Sequence, residues 1–260
     1  MNIKEPILHL RDSLKESYET TVLRGYYNLF GHEVNTRFAI VGNARTGSNY
    51  LLDGLNSSSC VKMYHEIFAD HHRDKGKDFE KILSLLYQRQ DKAISVVGFK
   101  LFYNHLTPEE WEKFVAHGDF KIIHLTRRNR LRTIVSLDVA FKTGQWTKSQ
   151  KSIANRPVDK RIFLDPLTLV QRLARLEADE ALARDRLKGR EMIEVVYEKL
   201  VAQPAEVFGG VGAYLGVRDI DPDVIKISRQ NPEGLEQIIM NYEEVCHALD
   251  GTDYAEYIKN

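Results

Sequence analysis

The chain has 260 residues, 43% of them hydrophobic and 28% charged, a balance that suits a globular protein with a sizeable core. Lysine plus arginine and aspartate plus glutamate both number 37, so the formal net charge is zero and bulk attraction to nucleic acid or an anionic membrane is not expected. Cys60 and Cys246 supply neither a disulfide framework nor a metal site, and no apolar run reaches the ~20 residues that span a bilayer.

The opening residues, MNIKEPILHLRDSLKESYE, lack the unbroken apolar segment of a secretory signal, so a reducing, cytoplasmic setting is the expectation. Residues 5–30 predict a helical lead-in, with Leu8, Leu14, Tyr18, Val22 and Tyr26 at helical spacing. Residues 37–42 predict a buried strand, followed by a glycine-bearing turn and a helix. Residues 60–66 predict a second strand, 78–90 a helix and 94–102 a third strand. Thr107 as N-cap, Pro108, Glu109 and Glu110 in the first turn, and Gly118 past the end bracket the next helix. Residues 120–127 predict a fourth strand and 129–141 the helix after it. The polar, basic stretch 142–164 reads as an active-site loop. A long amphipathic helix (165–187), a fifth strand running into a turn (192–200) and a further helix (204–217) follow. Residues 219–260 are expected to run over the surface. Strands alternating with helices predict one α/β domain over residues 1–260, a three-layer α/β/α fold with a mostly parallel central sheet and a P-loop-like turn.

The stretch RFAIVGNARTGSNYLL, Arg37 to Leu52, carries the first motif. An apolar strand ends at Gly42, a turn follows, and Gly47 precedes a helix. Such a turn aims backbone N–H groups at one point, and the helix N-terminus adds about half a positive charge, which makes a phosphate or sulfate site. The nucleoside triphosphate version reads G-x-x-x-x-G-K-[ST]. Here Ser48 replaces the lysine that reaches the β- and γ-phosphates, and Asn49 replaces the hydroxyl that ligates magnesium. The turn therefore predicts a nucleotide without a triphosphate tail and without metal, with Arg45 supplying positive charge.

A second anion patch is RRNRLRTIVS, Arg127 to Ser136. Arg127, Arg128, Arg130 and Arg132 crowd the junction of the fourth strand and its helix, which in a parallel sheet lies at the same edge as the cradle. An arginine forks onto a phosphate through two charge-assisted bonds, and Ser136 stands two helical turns beyond Arg128. Two phosphate sites on one nucleotide predict a ligand phosphorylated at both ends of its ribose. GNARTGSNYL resembles the 5′-phosphosulfate loop of sulfotransferases that use 3′-phosphoadenosine 5′-phosphosulfate (PAPS), and RNRLRTIVS resembles their 3′-phosphate segment. The R-T-G-S variant, the arginine-rich second segment and TGQW most resemble bacterial carbohydrate sulfotransferases of the nodulation-factor and trehalose type. VVYEKLVAQPAEVFGGVGAYLGV and IMNYEEVCHALDGTDY are similar to the late strand–helix pair and C-terminal tail of that family. The resemblance covers roughly residues 36–257.

The resemblance implies that Arg45, Thr46, Gly47, Ser48 and Asn49 hold the 5′-phosphosulfate, and that Arg128 and Ser136 hold the 3′-phosphate. It implies PAPS as co-substrate, PAP as product and no metal. It also implies a C-terminal segment closing on the nucleotide, with Arg229 or Gln230 in that role, and Tyr197 near the nucleotide. Sulfuryl transfer needs charge stabilisation at the leaving phosphate and a base for the acceptor's proton. Glu66 in MYHEIF is the expected base. The chain returns it to the same sheet edge after the first helix, and the resembling enzymes keep a glutamate at a corresponding place. His65 is the alternative; adjacent strand residues point to opposite sides, so one of the two faces the acceptor. Lys100 ends the third strand at that edge and is placed for the sulfuryl group or the acceptor. Trp146 is placed either to stack on a sugar ring or to pack into the core. The expected acceptor is a sugar hydroxyl, with a small natural product as the alternative, and the oligomeric state stays open, a homodimer included. A degenerate P-loop phosphotransferase and an idle nucleotide-binding module are the other readings. The missing lysine and Ser/Thr count against the first, and catalytic turnover would dismiss the second.

Overall fold

The computed structural model describes residues 29–70, 78–146, 158–225, 231 and 233–259. The 5–30 lead-in, apart from its last two residues, and residues 147–157 of the 142–164 segment lie outside them. Five strands form one sheet: β1 (Thr36–Gly42), β2 (Val61–Tyr64), β3 (Val96–Phe102), β4 (Phe120–Thr126) and β5 (Met192–Val196). Their order is β2-β3-β1-β4-β5, and every pairing is parallel. β1 is central. It pairs with β3 through Ile40↔Lys100 and with β4 through Gly42↔Leu125, so its C-terminal turn emerges between Lys100 and the end of β4.

Alternation of side chains across β1 divides the core. Phe38 and Ile40 pack against α1 (Ser48–Leu55) and α7 (Pro204–Leu215), through Leu51, Leu55, Phe208 and Val211. Ala39 and Val41 face the other layer, α2 (Phe79–Leu86) and α3 (Pro108–Ala116), through Phe79, Leu83, Trp111 and Phe114. These are the three layers that the strand–helix alternation implies. α3 starts as its sequence requires: Thr107 and Glu110 form a reciprocal capping box with Pro108 in the first turn.

Beyond the C-terminal edge, α4 (Arg130–Thr143) and α5 (Pro166–Arg186) build a third apolar cluster. The tail joins it. α8 (Leu235–Ile238), α9 (Tyr242–Leu249) and a closing 3₁₀ turn bury Leu235, Ile238, Val245, Leu249 and Tyr257 there. Residues 235–257 are thus part of a core and not a surface run. The reason is their apolar positions, which are too widely spaced for one long helix but suit several short ones. The fifth strand is also shorter than expected. It stops at Val196, and α6 (Tyr197–Ala202) begins at once with Glu198 in its first turn.

Candidate active site

The turn after β1 depends on its glycines. A Cβ on Gly42 would collide with the backbone oxygen of Leu125, so glycine keeps β1 and β4 in register at the sheet edge. Thr46 is buried and donates its Oγ1 hydrogen to the Asn43 carbonyl at 2.7 Å, closing the loop. Arg45 (φ 66°) and Gly47 (φ 92°) are both left-handed, the kind of reversal that curls successive amides into an anion-binding concavity. For a non-glycine residue such as Arg45 this conformation costs about 1–3 kcal/mol. Gly47 is the N-cap of α1 and offers no side-chain acceptor to the first-turn amides. Asp78, Thr107, Asn129 and Asp165 supply such an acceptor to α2, α3, α4 and α5. The positive end of α1 is therefore left open where the loop converges.

Two side chains brace this loop from the β4 and β5 ends. The Tyr197 ring lies against Gly47; a Cβ there would stand 2.5 Å from Tyr197 Cδ2. The Arg127 guanidinium lies over the same ring, 4.4 Å from its centroid, and Nη1 donates to the Arg45 carbonyl at 3.2 Å. Tyr197 opens α6, so the early end of β5 is what places its ring at the loop.

Lys100 is the most deeply buried charge at the edge, with 1% of its surface exposed. Its Nζ donates to Asn49 Oδ1 at 2.6 Å and to Glu66 Oε1 at 2.8 Å. Burial pushes the Lys100 pKa down, while the hydrogen bond and charge of Glu66 and the charge of Asp53 oppose that. Burial also lowers the Arg45 pKa, again opposed by Glu66. Arg45, Lys100, Glu66 and Asp53 thus share one electrostatic neighbourhood. His65 is exposed, and its carbonyl accepts from the Lys100 backbone N–H at 3.3 Å. Of the adjacent pair, Glu66 is turned onto the lysine.

The arginine-rich segment divides by function of position. Ser136 is buried and accepts Arg45 Nε at 2.9 Å, which ties α4 to the loop. Arg128 carries an exposed side chain, and the backbone N–H groups of Arg128 and Asn129 donate to Glu198 at 3.1 and 3.2 Å. Arg130 reaches Tyr257 Oη and Glu180 at 2.8 and 3.2 Å, and Arg132 donates to the Glu233 carbonyl at 2.7 Å. These two hold the tail and α5. Trp146 is half-exposed, not packed into the core. Its carbonyl accepts Arg45 Nη1 at 2.7 Å and its ring meets that of exposed Phe141 edge-on, 4.9 Å between centroids. Arg229 and Gln230 lie outside the described residues.

The structure thus brings together Arg45, Thr46, Gly47, Ser48, Asn49, Glu66, Lys100, Ser136 and Tyr197, with Arg128 on the adjoining surface. Sequence reasoning counted Arg127 among four arginines without assigning it. Among the described residues no group of three His, Cys, Asp or Glu is placed to hold a metal ion, and no helix is long and apolar enough to cross a membrane.

Residues 30–238 match the family model described as Stf0 sulphotransferase. The chain is 26% identical over 237 residues to nodulation protein H of Rhizobium tropici, an alignment covering 85% of this chain and 92% of that protein. It is 24% identical over 239 residues to nodulation protein H of Rhizobium meliloti, covering 85% and 94%. Among solved structures, it is similar to a sulfotransferase from Alicyclobacillus acidocaldarius at 18% identity and a TM-score of 0.46, over 88% of this chain and 97% of that one.

Proposed function

The chain belongs to the Stf0 sulphotransferase family and is a sulfotransferase; from that premise we propose that it uses PAPS to sulfate a hydroxyl of a carbohydrate acceptor. The observation that carries this reading is the convergence of the open positive end of α1, Arg45 and buried Lys100 around Glu66. These residues fit a 5′-phosphosulfate: the loop is curled by two left-handed residues and flanked by two cations, and it lacks the lysine and hydroxyl of a magnesium–triphosphate site. When bound, PAPS supplies a sulfuryl group on a phosphate leaving group.

The chain's own residues take the remaining roles. The amides around Gly47 and the Arg45 guanidinium hold the 5′ end. Lys100 neutralises charge where the sulfuryl group departs, an interaction strengthened by its burial. Arg128 and Ser136 hold the 3′-phosphate, and Tyr197 braces the loop from below. Glu66 accepts the acceptor's proton. Its Oε1 is fixed by the Lys100 ammonium, so the carboxylate is oriented before the acceptor arrives. The acceptor reading rests on the motif resemblance to carbohydrate sulfotransferases. The exposed Phe141–Trp146 pair supports it, because it sits beside Arg45 as an aromatic platform. Incubating the protein with ³⁵S-labelled PAPS and a pooled oligosaccharide and glycolipid extract tests the proposal. A labelled product heavier by one SO₃ is expected; turnover with Mg·ATP and none with PAPS would reject it.

A further inference from the structure

β4 and β5 pair in parallel, and their last register pair is Thr126↔Val196. The two chains leave the sheet edge side by side, so the residues beyond that pair meet in turn. One step on, the Arg127 guanidinium lies 4.4 Å from the Tyr197 ring centroid and donates to the Arg45 carbonyl of the 5′ loop. Two steps on, Arg128 meets Glu198. The Glu198 carboxylate accepts the Arg128 N–H at Oε2, 3.1 Å away, and the Asn129 N–H at Oε1, 3.2 Å away. Each oxygen takes one amide, so the carboxylate fixes the backbone from which the Arg128 side chain departs. We propose that Glu198 is a positioning residue for the nucleotide's 3′-phosphate, holding the Arg128 backbone so that its exposed guanidinium stands where that phosphate docks. The inference rests on the reading of Arg128 as a 3′-phosphate group.

The surrounding contacts leave this task to Glu198. Asn129 caps α4: its Oδ1 accepts the Arg132 N–H at 2.9 Å, and its Nδ2 donates to the Tyr257 carbonyl at 2.8 Å. Those bonds secure the helix start and the closing 3₁₀ turn, both after Arg128 in the chain. The amides of Arg128 and Asn129 precede the first turn of α4, where helical bonding supplies no partner. Because β5 ends at Val196, Glu198 falls in the first turn of α6, next to the tyrosine that braces the 5′ loop. One short helix start thus touches the supports of both phosphate sites. A carboxylate beside Arg128 also repels an anion docked there. As a charge Glu198 weakens phosphate binding, and as a brace it strengthens it, so the two roles predict changes of opposite sign.

The test compares calorimetric affinities for PAP and 5′-AMP in the native protein, Glu198→Ala and Glu198→Gln. The two nucleotides differ by the 3′-phosphate, so the ratio of their affinities reads that contact. In Glu198→Ala the preference for PAP is expected to fall by about tenfold, the low end of what a charge-assisted contact contributes, while 5′-AMP affinity stays near native. Glu198→Gln keeps one acceptor oxygen and removes the charge, and it is expected to lose part of the preference. This milder variant decides the question by the same ratio where Glu198→Ala does not fold. A preference that is unchanged or increased in the variants would overturn the inference, an increase marking Glu198 as a repelling charge. Equal losses for PAP and 5′-AMP would also overturn it, because general support of the fold does not distinguish the two nucleotides. A native protein that binds PAP no more tightly than 5′-AMP would overturn the reading of Arg128 itself.

Discussion

Replacing Lys100 with methionine separates what this side chain does for the fold from what it does for the reaction. The substitution removes two charge-assisted bonds, to Asn49 and Glu66, worth about 1.5–3 kcal/mol each. It also removes the burial of an ammonium that is 1% exposed, a penalty of several kcal/mol even after relaxation. Methionine has a similar length and fills irregular apolar space. The two terms oppose each other, but the change also leaves Glu66 without its cation, so unfolding free energy is expected to fall by up to about 3–5 kcal/mol, the cost of removing one partner of a buried pair. Nothing comparable offsets the loss in the reaction. A buried donor aimed at developing charge contributes about 10²–10³ in kcat, and that factor should disappear. Urea unfolding followed by tryptophan fluorescence reads the first quantity, and initial rates with labelled PAPS read the second. A variant that unfolds like the native protein and turns over like it would refute the assignment of Lys100 to the transfer step. A variant as stable as the native protein would refute the claim that Glu66 depends on the lysine for its charge partner.

Three further outcomes are expected. Glu66→Ala should lower turnover by about 10²–10⁴, the usual worth of a general base, while PAP affinity measured by calorimetry stays near native. Arg128→Ala should weaken PAP binding by about 1.5–3 kcal/mol per charge-assisted bond lost, yet barely change the affinity for adenosine 5′-phosphosulfate, which has no 3′-phosphate. Away from the site, His124 is fully buried with Nε2 2.7 Å from Tyr103 Oη, and burial together with the Arg184 charge holds its pKa below the ordinary 6.5. The unfolded chain then binds the extra proton first as pH falls through about 6.5, so stability should decline toward acid by up to about 1.4 kcal/mol per pH unit. His124→Gln should flatten that slope in urea melts, and an unchanged slope would assign the acid sensitivity elsewhere.

The sheet was legible because its strands are short apolar runs separated by well-signalled helices. Thr107, Pro108 and Glu110 state their helix start in local chemistry, and the structure keeps it. The strand-to-helix change at Tyr197 was not legible, because VVYEKL suits either state until tertiary packing seats the tyrosine ring under Gly47. The tail was misjudged for a related reason: Val245, Leu249 and Tyr257 reveal their burial only once α4 and α5 exist to receive them. At the site, the cradle could be read from Gly42 and Gly47. Spacing alone could not tell which arginine faces inward. Arg127 and Arg128 leave the end of β4 in opposite senses, one onto Tyr197 and the loop, the other into solvent.

On the proposed function, one adenosine nucleotide is gripped at both its 5′ and 3′ ends without metal. The affinities of PAP and 5′-AMP, compared in buffer containing EDTA, read this grip. PAP is expected to bind about 10–150-fold more tightly, the equivalent of one charge-assisted contact of about 1.5–3 kcal/mol to the 3′-phosphate. Equal affinities, or binding that appears only when magnesium is restored, would contradict it.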